Sequence, residues 1–192
     1  MKLASKVAIL GLALGLASCA AKRSARTSSY HDAQMDFSLV HTVAVMPFGN
    51  LSGAPPAADR VRDTFMTVLQ SQGAVYVVPP GEIGRAIGRL GLQNPATPAP
   101  EDVVALCKAL SADAVITGVV LEYGEARSAS AAANYVSISV KLFEAQTGKV
   151  VWSAASTQGG VGAKQRLFGG GGRAMNEVTL DAVTDLVRRL FE

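Results

Sequence analysis

Two thiols, two histidines and a run of glycines are the groups in this 192-residue chain whose chemistry could carry a function. Cys19 follows Val7 to Ala17, an apolar run of 11 residues with Lys2 and Lys6 upstream and the small residues Ala17 and Ser18 at its exit. A cationic start, a short apolar core and small residues at the end make a secretory signal peptide over residues 1–18. About 20 apolar residues are needed to cross a bilayer, so this run is not a stable anchor by itself. A plain signal cut near Ala17 or Ala20 would leave Cys19 a stray thiol. His31 and His41 have no metal-ligand spacing. Gly169 to Gly172 stand before a helical pattern and could present amides to an anion. They lack the Gly-Lys-Ser/Thr ending of a nucleotide loop, and a mobile loop is the competing reading. Asp59 and Asp63 suit a solvated helix face better than an acid–base pair. No Gly-x-Ser-x-Gly elbow occurs. Nothing in the sequence assembles a catalytic constellation, so the chain is not expected to be an enzyme.

The elements around these groups follow from periodicity. Residues 19–40 are rich in Ser, Ala and charge without a sustained period and read as a flexible tether, on which Tyr30, Met35 and Phe37 can begin to dock. Thr42 to Phe48 is a continuous apolar run suited to a strand covered on both faces, with Pro47 marking an edge or bulge at its end. Ala57 to Gln72 is helical: Val61, Phe65, Val68 and Leu69 form one stripe, and Gly73 stops it. Ala74 to Val78 is a second short strand. Glu82 to Leu90 and Glu101 to Leu110 are helices. The latter puts Cys107 on the apolar face with Val103, Leu106 and Leu110, which suits a buried core thiol; a reactive or intermolecular thiol is the other reading. Asp113 to Glu122 is a third strand, in which Gly118 allows a bulge or a close approach. Gly124 to Ala133 reads as a loop. Tyr135 to Glu144 alternates, with Val136, Ile138, Val140 and Leu142 on one side and Ser137, Ser139 and Lys141 on the other. Thr147-Gly148 turns the chain into Lys149 to Thr157, which carries Trp152 as a cover for the sheet. Gln158 to Gly172 is glycine-rich, and Arg173 to Phe191 is a long helix.

The order β-α-β-α-α-β-β-β-α predicts an α/β fold: one domain over residues 41–192, a mixed sheet with helices packed on it. Without residues 1–18 the chain keeps 174 residues, enough for one ordinary core. Losing Lys2 and Lys6 takes Lys plus Arg from 18 to 16 against 15 acids, so the formal charge falls from +3 to +1. That near-neutral balance gives no case for nucleic acid.

Leu16-Ala17-Ser18-Cys19 resembles the lipobox of bacterial lipoproteins. The resemblance implies cleavage between Ser18 and Cys19 and acylation, as with palmitate, of the Cys19 thiol and amine. Several acyl chains give lasting attachment without a transmembrane helix, so the covalent lipid is the one non-protein group expected. Ala20, where an Asp would imply retention at the inner membrane, implies the outer membrane, periplasmic side. With Cys19 acylated, Cys107 has no partner for a disulfide.

A second resemblance rests on Val43-Ala44-Val45-Met46-Pro47-Phe48 with Asn50, on Ala112-Asp113-Ala114-Val115-Ile116-Thr117-Gly118, and on the hairpin Val140 to Ser153. These are similar to the curli-secretion lipoprotein superfamily, which includes outer-membrane lipoprotein activators of penicillin-binding proteins and is similar in fold to the amino-terminal domain of the Tol propeller protein. It implies an envelope protein working through protein contacts, with a peptidoglycan synthase or secretion component as the kind of partner. Pore-forming members insert long hairpins, and Gly124 to Ala133 is too short for one at about 9–11 residues per strand. The expected role is a lipid-anchored adaptor or regulator, with Tyr135, Ser137, Ser139, Lys141 and Trp152 as its contact surface. The alternatives are a self-assembling homo-oligomeric subunit and an anion or nucleotide binder using the glycine run.

Overall fold

A computed structural model of the chain describes residues 29–128, 131–160 and 170–192. The signal, the lipidation residue Cys19 and its neighbour Ser18, and residues 161–169 of the glycine-rich stretch lie outside the described residues. The strands are β1 (Ser29–His31), β2 (Thr42–Val45), β3 (Gly49–Asn50), β4 (Tyr76–Val77), β5 (Ala114–Ser128), β6 (Ala131–Glu144), β7 (Val150–Gly159) and β8 (Gly170–Gly171). The helices are α1 (Ala57–Ser71), α2 (Pro80–Leu90), α3 (Pro100–Leu110) and α4 (Met175–Leu190).

The expected architecture is present: one mixed sheet in the order β1-β7-β6-β5-β2-β4, with β3 added beside β5 and β8 beside β6. β2 pairs in parallel with β4 and β5, while β5, β6, β7 and β1 form an antiparallel meander. The stripe Val61, Phe65, Val68 and Leu69 of α1 and the stripe Val178, Ala182, Leu186 and Leu190 of α4 bury one face of this sheet, with Val136, Ile138, Val140 and Leu142 beneath them. α2 and α3 cover one end of the other face through Ile83, Ala86, Val103, Leu106 and Cys107 against Ala44, Met46 and Val115. Cys107 is thus the buried core thiol that its spacing suits. Burial and the nearby negative Asp113 push its thiol pKa up to about 11.

Pro47 breaks the first long strand as expected. Met46 N–H still donates to Ile116 O (2.9 Å), but Pro47 has no N–H, and pairing resumes only at Gly49. The break leaves carbonyls turned from the ladder. Arg62 on α1 fills the gap: its Nε donates to Val45 O (3.1 Å) and Met46 O (2.9 Å), and Nη2 donates to Val45 O (2.6 Å). Burial lowers the Arg62 pKa, against the pull of Asp63 and Asp59.

Gly118 supplies the close approach its sequence context allows. A Cβ there would lie 2.6 Å from two carbons of the Phe48 ring, which itself packs on Phe65 at 5.8 Å between centroids. Where β5 begins, Asp113 accepts from His41 N–H (2.9 Å) and Thr42 N–H (2.8 Å), tying β2 to β5.

Two segments differ from the sequence reading. Residues 29–40, read as the end of the tether, are part of the domain. Ser29 to His31 pair antiparallel with Trp152 to Ala154, Asp32 N–H donates to Val151 O (2.8 Å), and a 3-10 turn follows at Phe37–Leu39. The His31 ring packs edge-on against both Phe37 and Trp152. This order comes from long-range pairing, which local periodicity does not reveal. Within 124–133, read as a loop, residues 124–128 and 131–133 continue the hairpin: Gly124 pairs with Tyr135 and Ser128 with Ala131. The stretch is mostly Gly, Ala and Ser, so no apolar alternation marks it. Gly124 to Ser128 adds five residues to its strand, still short of the about 9–11 that cross a bilayer.

Candidate functional site

Among the described residues no helix covers the upper part of the second sheet face, beyond α2 and α3, and three rows of side chains lie across it. Thr117, Lys141 and Ser153 form one row; Val119, Ser139 and Ala155 the next; Glu122, Ser137 and Thr157 the third. Strand pleat puts these residues on the face opposite Val136, Ile138 and Val140. Lys141, Ala155 and Thr157 are exposed and Ser139 and Ser153 half-buried. Ser137 is buried and shares a 2.9 Å hydrogen bond with Thr157. Tyr135 is half-buried on the same face beside Gly124. The loop Ala96-Thr97-Pro98 walls one side of a groove of about 250 Å³ over Thr117, Ser139, Lys141 and Phe143. Lys141 makes no ion pair among the described residues.

Tyr135, Ser137, Ser139 and Lys141 are therefore brought together, as their alternation implied. Trp152 is not part of this surface. It is fully buried on the helix-covered face, opposite Leu142. The physical reason is an irregularity: Leu142 pairs with Trp152 but Phe143 pairs with Val150, leaving Val151 as an extra residue. Both Val151 and Trp152 are buried, so strict alternation fails at that point.

The glycine run does not form a free amide cradle over its described part. Gly170 and Gly171 pair in parallel with Ala131 and Ala132, and Gly172 N–H donates to Ala132 O (3.0 Å). Among the described residues no cluster of three or more His, Cys, Asp or Glu has the arrangement to hold a metal ion. His31 serves packing, and the exposed His41 gives its backbone amide to Asp113.

A polar contact that the sequence did not mark fastens α4 to β7. Asp185 accepts from the Ser156 hydroxyl (2.8 Å), from Arg188 (2.9 Å) and from Arg189. Burial acts to raise the Asp185 pKa, but the hydrogen bonds from Ser156, Arg189 and Arg188 outweigh it and hold the carboxyl below its ordinary range.

With this geometry in place, the chain can be set beside known proteins. No family model matches it, and no curated protein matches it. Solved structures do share the fold. A point variant of the PelC dodecamer from Paraburkholderia phytofirmans superposes with a TM-score of 0.57 at 16% identity, covering 85% of this chain and 97% of that one. The lipoprotein GNA1162 from Neisseria meningitidis gives 0.53 at 22% identity, covering 62% and 83%. The C-terminal domain of LpoB from Salmonella enterica gives 0.48 at 17%, covering 61% and 81%. At these identities the likeness is one of fold. The class is a single mixed α/β domain of the kind found in PelC and in a lipoprotein.

Proposed function

We propose that this protein is a lipid-anchored component of the bacterial envelope, attached through Cys19 to the periplasmic side of the outer membrane. It acts by binding another protein rather than by chemistry. The observation that carries the reading is the uncovered sheet face. The antiparallel part of a mixed sheet can leave one face without helices, and here Lys141, Ala155 and Thr157 stand exposed beyond α3 with Ser139 half-buried between them. Such a face offers hydroxyls, small side chains, the cation of Lys141 and the carboxylate of Glu122, a polar surface fit for reversible association. The partner class drawn from the family resemblance is a peptidoglycan synthase or a secretion component. A photo-crosslinking residue at Lys141 in intact cells should capture a defined protein, while the same residue at Thr184, exposed on the outer side of α4, should not. Equal capture from both positions would overturn the assignment of this face.

A second reading, a subunit that assembles with copies of itself, is favoured by the fold shared with the PelC dodecamer over 97% of that chain. Light scattering of a version beginning after Cys19 separates the two: a monomer supports the adaptor, and a defined large oligomer the assembly.

A further inference from the structure

We propose that the β1 edge of the sheet is the side of the domain that faces the lipid bilayer, and that the short chain between Cys19 and Ser29 imposes this orientation. The proposal rests on the lipid-anchor reading of Cys19. Docking of residues 29–40 onto the domain leaves nine residues, 20–28, between the anchor and the first strand. A chain of that length has a relaxed span of about 17 Å and cannot exceed about 36 Å drawn straight.

Three directions are open to the bilayer. Against the hairpin end, the anchor must reach past the tip of β5 and β6. Ser29 stands level with Ala154 and Val140, and the nine residues from Val140 back to Ala131 rise about 30 Å. That demands a chain drawn nearly straight, with the conformational entropy of its residues lost. Against the opposite end, the chain must double back, because β1 enters from the hairpin side, antiparallel to β7. That end also presents the carboxylates Asp36, Asp113 and Glu144 around a cavity of about 380 Å³, which anionic headgroups repel.

Against the β1 edge, the relaxed span suffices. There Tyr30 is half exposed (49%) on the edge strand, at the end of the row of Lys141 and Ser153, and an aromatic with a polar tip at the rim of the open face suits the headgroup level. Lys22, Arg23 and Arg26, in the linking stretch, are drawn to anionic headgroups. The far edge, β4 with exposed Tyr76 (61%), then stands about 24 Å further out, five strand spacings away. The open face with Lys141 looks sideways, along the membrane, so its partner is met at the bilayer surface.

The test uses the full lipidated chain reconstituted into phosphatidylethanolamine–phosphatidylglycerol vesicles carrying a headgroup-bound quencher. Single variants Tyr30→Cys, Tyr76→Cys, Arg127→Cys and Gln146→Cys are labelled with a fluorophore; Cys107 is buried and does not compete. In vesicle-floated protein the Tyr30 position should lose most of its emission and the other three little. Ser29→Cys, on the same strand, serves should Tyr30→Cys fail to fold. A larger loss at Arg127, Gln146 or Tyr76, or equal loss at all four, overturns the orientation while leaving the anchor intact. Failure of the unmodified protein to float overturns the anchor reading and the orientation with it. Inserting a 20-residue Gly/Ser linker after residue 28 should level the four signals; a persistent loss at Tyr30 alone would show that linker length does not set the orientation.

Discussion

Gly118→Ala is the sharpest perturbation this fold allows. The added methyl would sit 2.6 Å from Cε2 and Cζ of Phe48 and 2.7 Å from Cδ2. Carbon atoms at rest lie about 3.5–4.0 Å apart, so the ring must withdraw by about 1 Å. It cannot do so freely, because Phe48 is buried and its far side meets Phe65 at a tilt of 58°. Overpacking of this kind costs about 1–3 kcal/mol, and exchanging glycine for alanine in a strand returns about 0.5–1 kcal/mol. From the middle of these ranges the expected net loss is about 1 kcal/mol, or about 2–4 °C in Tm for a domain of this size. Urea unfolding reports it through the single tryptophan, Trp152, which the core encloses. Phe48→Leu removes the ring, so Gly118→Ala on that background should be neutral or mildly stabilising. The cycle should then show a coupling of about 1–3 kcal/mol, the overpacking cost alone. If Gly118→Ala were neutral in the parent, or equally costly with and without the ring, the packing account of this glycine would be refuted.

Arg62→Ala should destabilise by about 2–3 kcal/mol, because it strips charged donors from the Val45 and Met46 carbonyls at the Pro47 break; Arg62→Lys should recover only part of this in the same unfolding assay, since an ammonium cannot span both acceptors. Asp185 has a folded pKa below its unfolded one, so its contribution is complete above the ordinary carboxylate range and is lost as pH falls through the lowered value. Asp185→Asn should therefore cost stability at neutral pH and flatten the fall of stability on acidification, read by thermal unfolding from pH 7 to pH 3. Cys107, with its thiol pushed up to about 11, should react with a thiol reagent at pH 7.5 only after unfolding; fast reaction in the native protein would contradict its burial. Cys19→Ser should move the protein from the membrane fraction to the soluble fraction of cells, and unchanged fractionation would remove the anchor.

The helices and the sheet's central strands were legible because each must bury a face. The stripe of α1 and the alternation Val136 to Leu142 are direct imprints of packing on one side. The segments missed are those whose order depends on partners distant in sequence. Tyr30 and His31 look like tether residues until β7 supplies a ladder, and Ala131 to Ala133 look like a loop until Ala126 to Ser128 lie opposite. Trp152 lies in the expected strand but on the helix-covered face and not the contact surface, since one extra residue at Val151 reverses the side on which later residues fall. The open polar face was readable at Ser137, Ser139 and Lys141. Its row-mates Thr117, Ser153 and Thr157 needed the register.

β1 stands between everything upstream of Ser29 and the body of the sheet. Any pull on the amino-terminal end is therefore borne first by three residues held against β7. Tension along the strands loads those bonds in shear, whereas tension away from the edge peels them one at a time. Detaching the strand would also lift the imidazole of His31 from the indole of Trp152, so mechanical load at the membrane would register as a change in the environment of the chain's single indole.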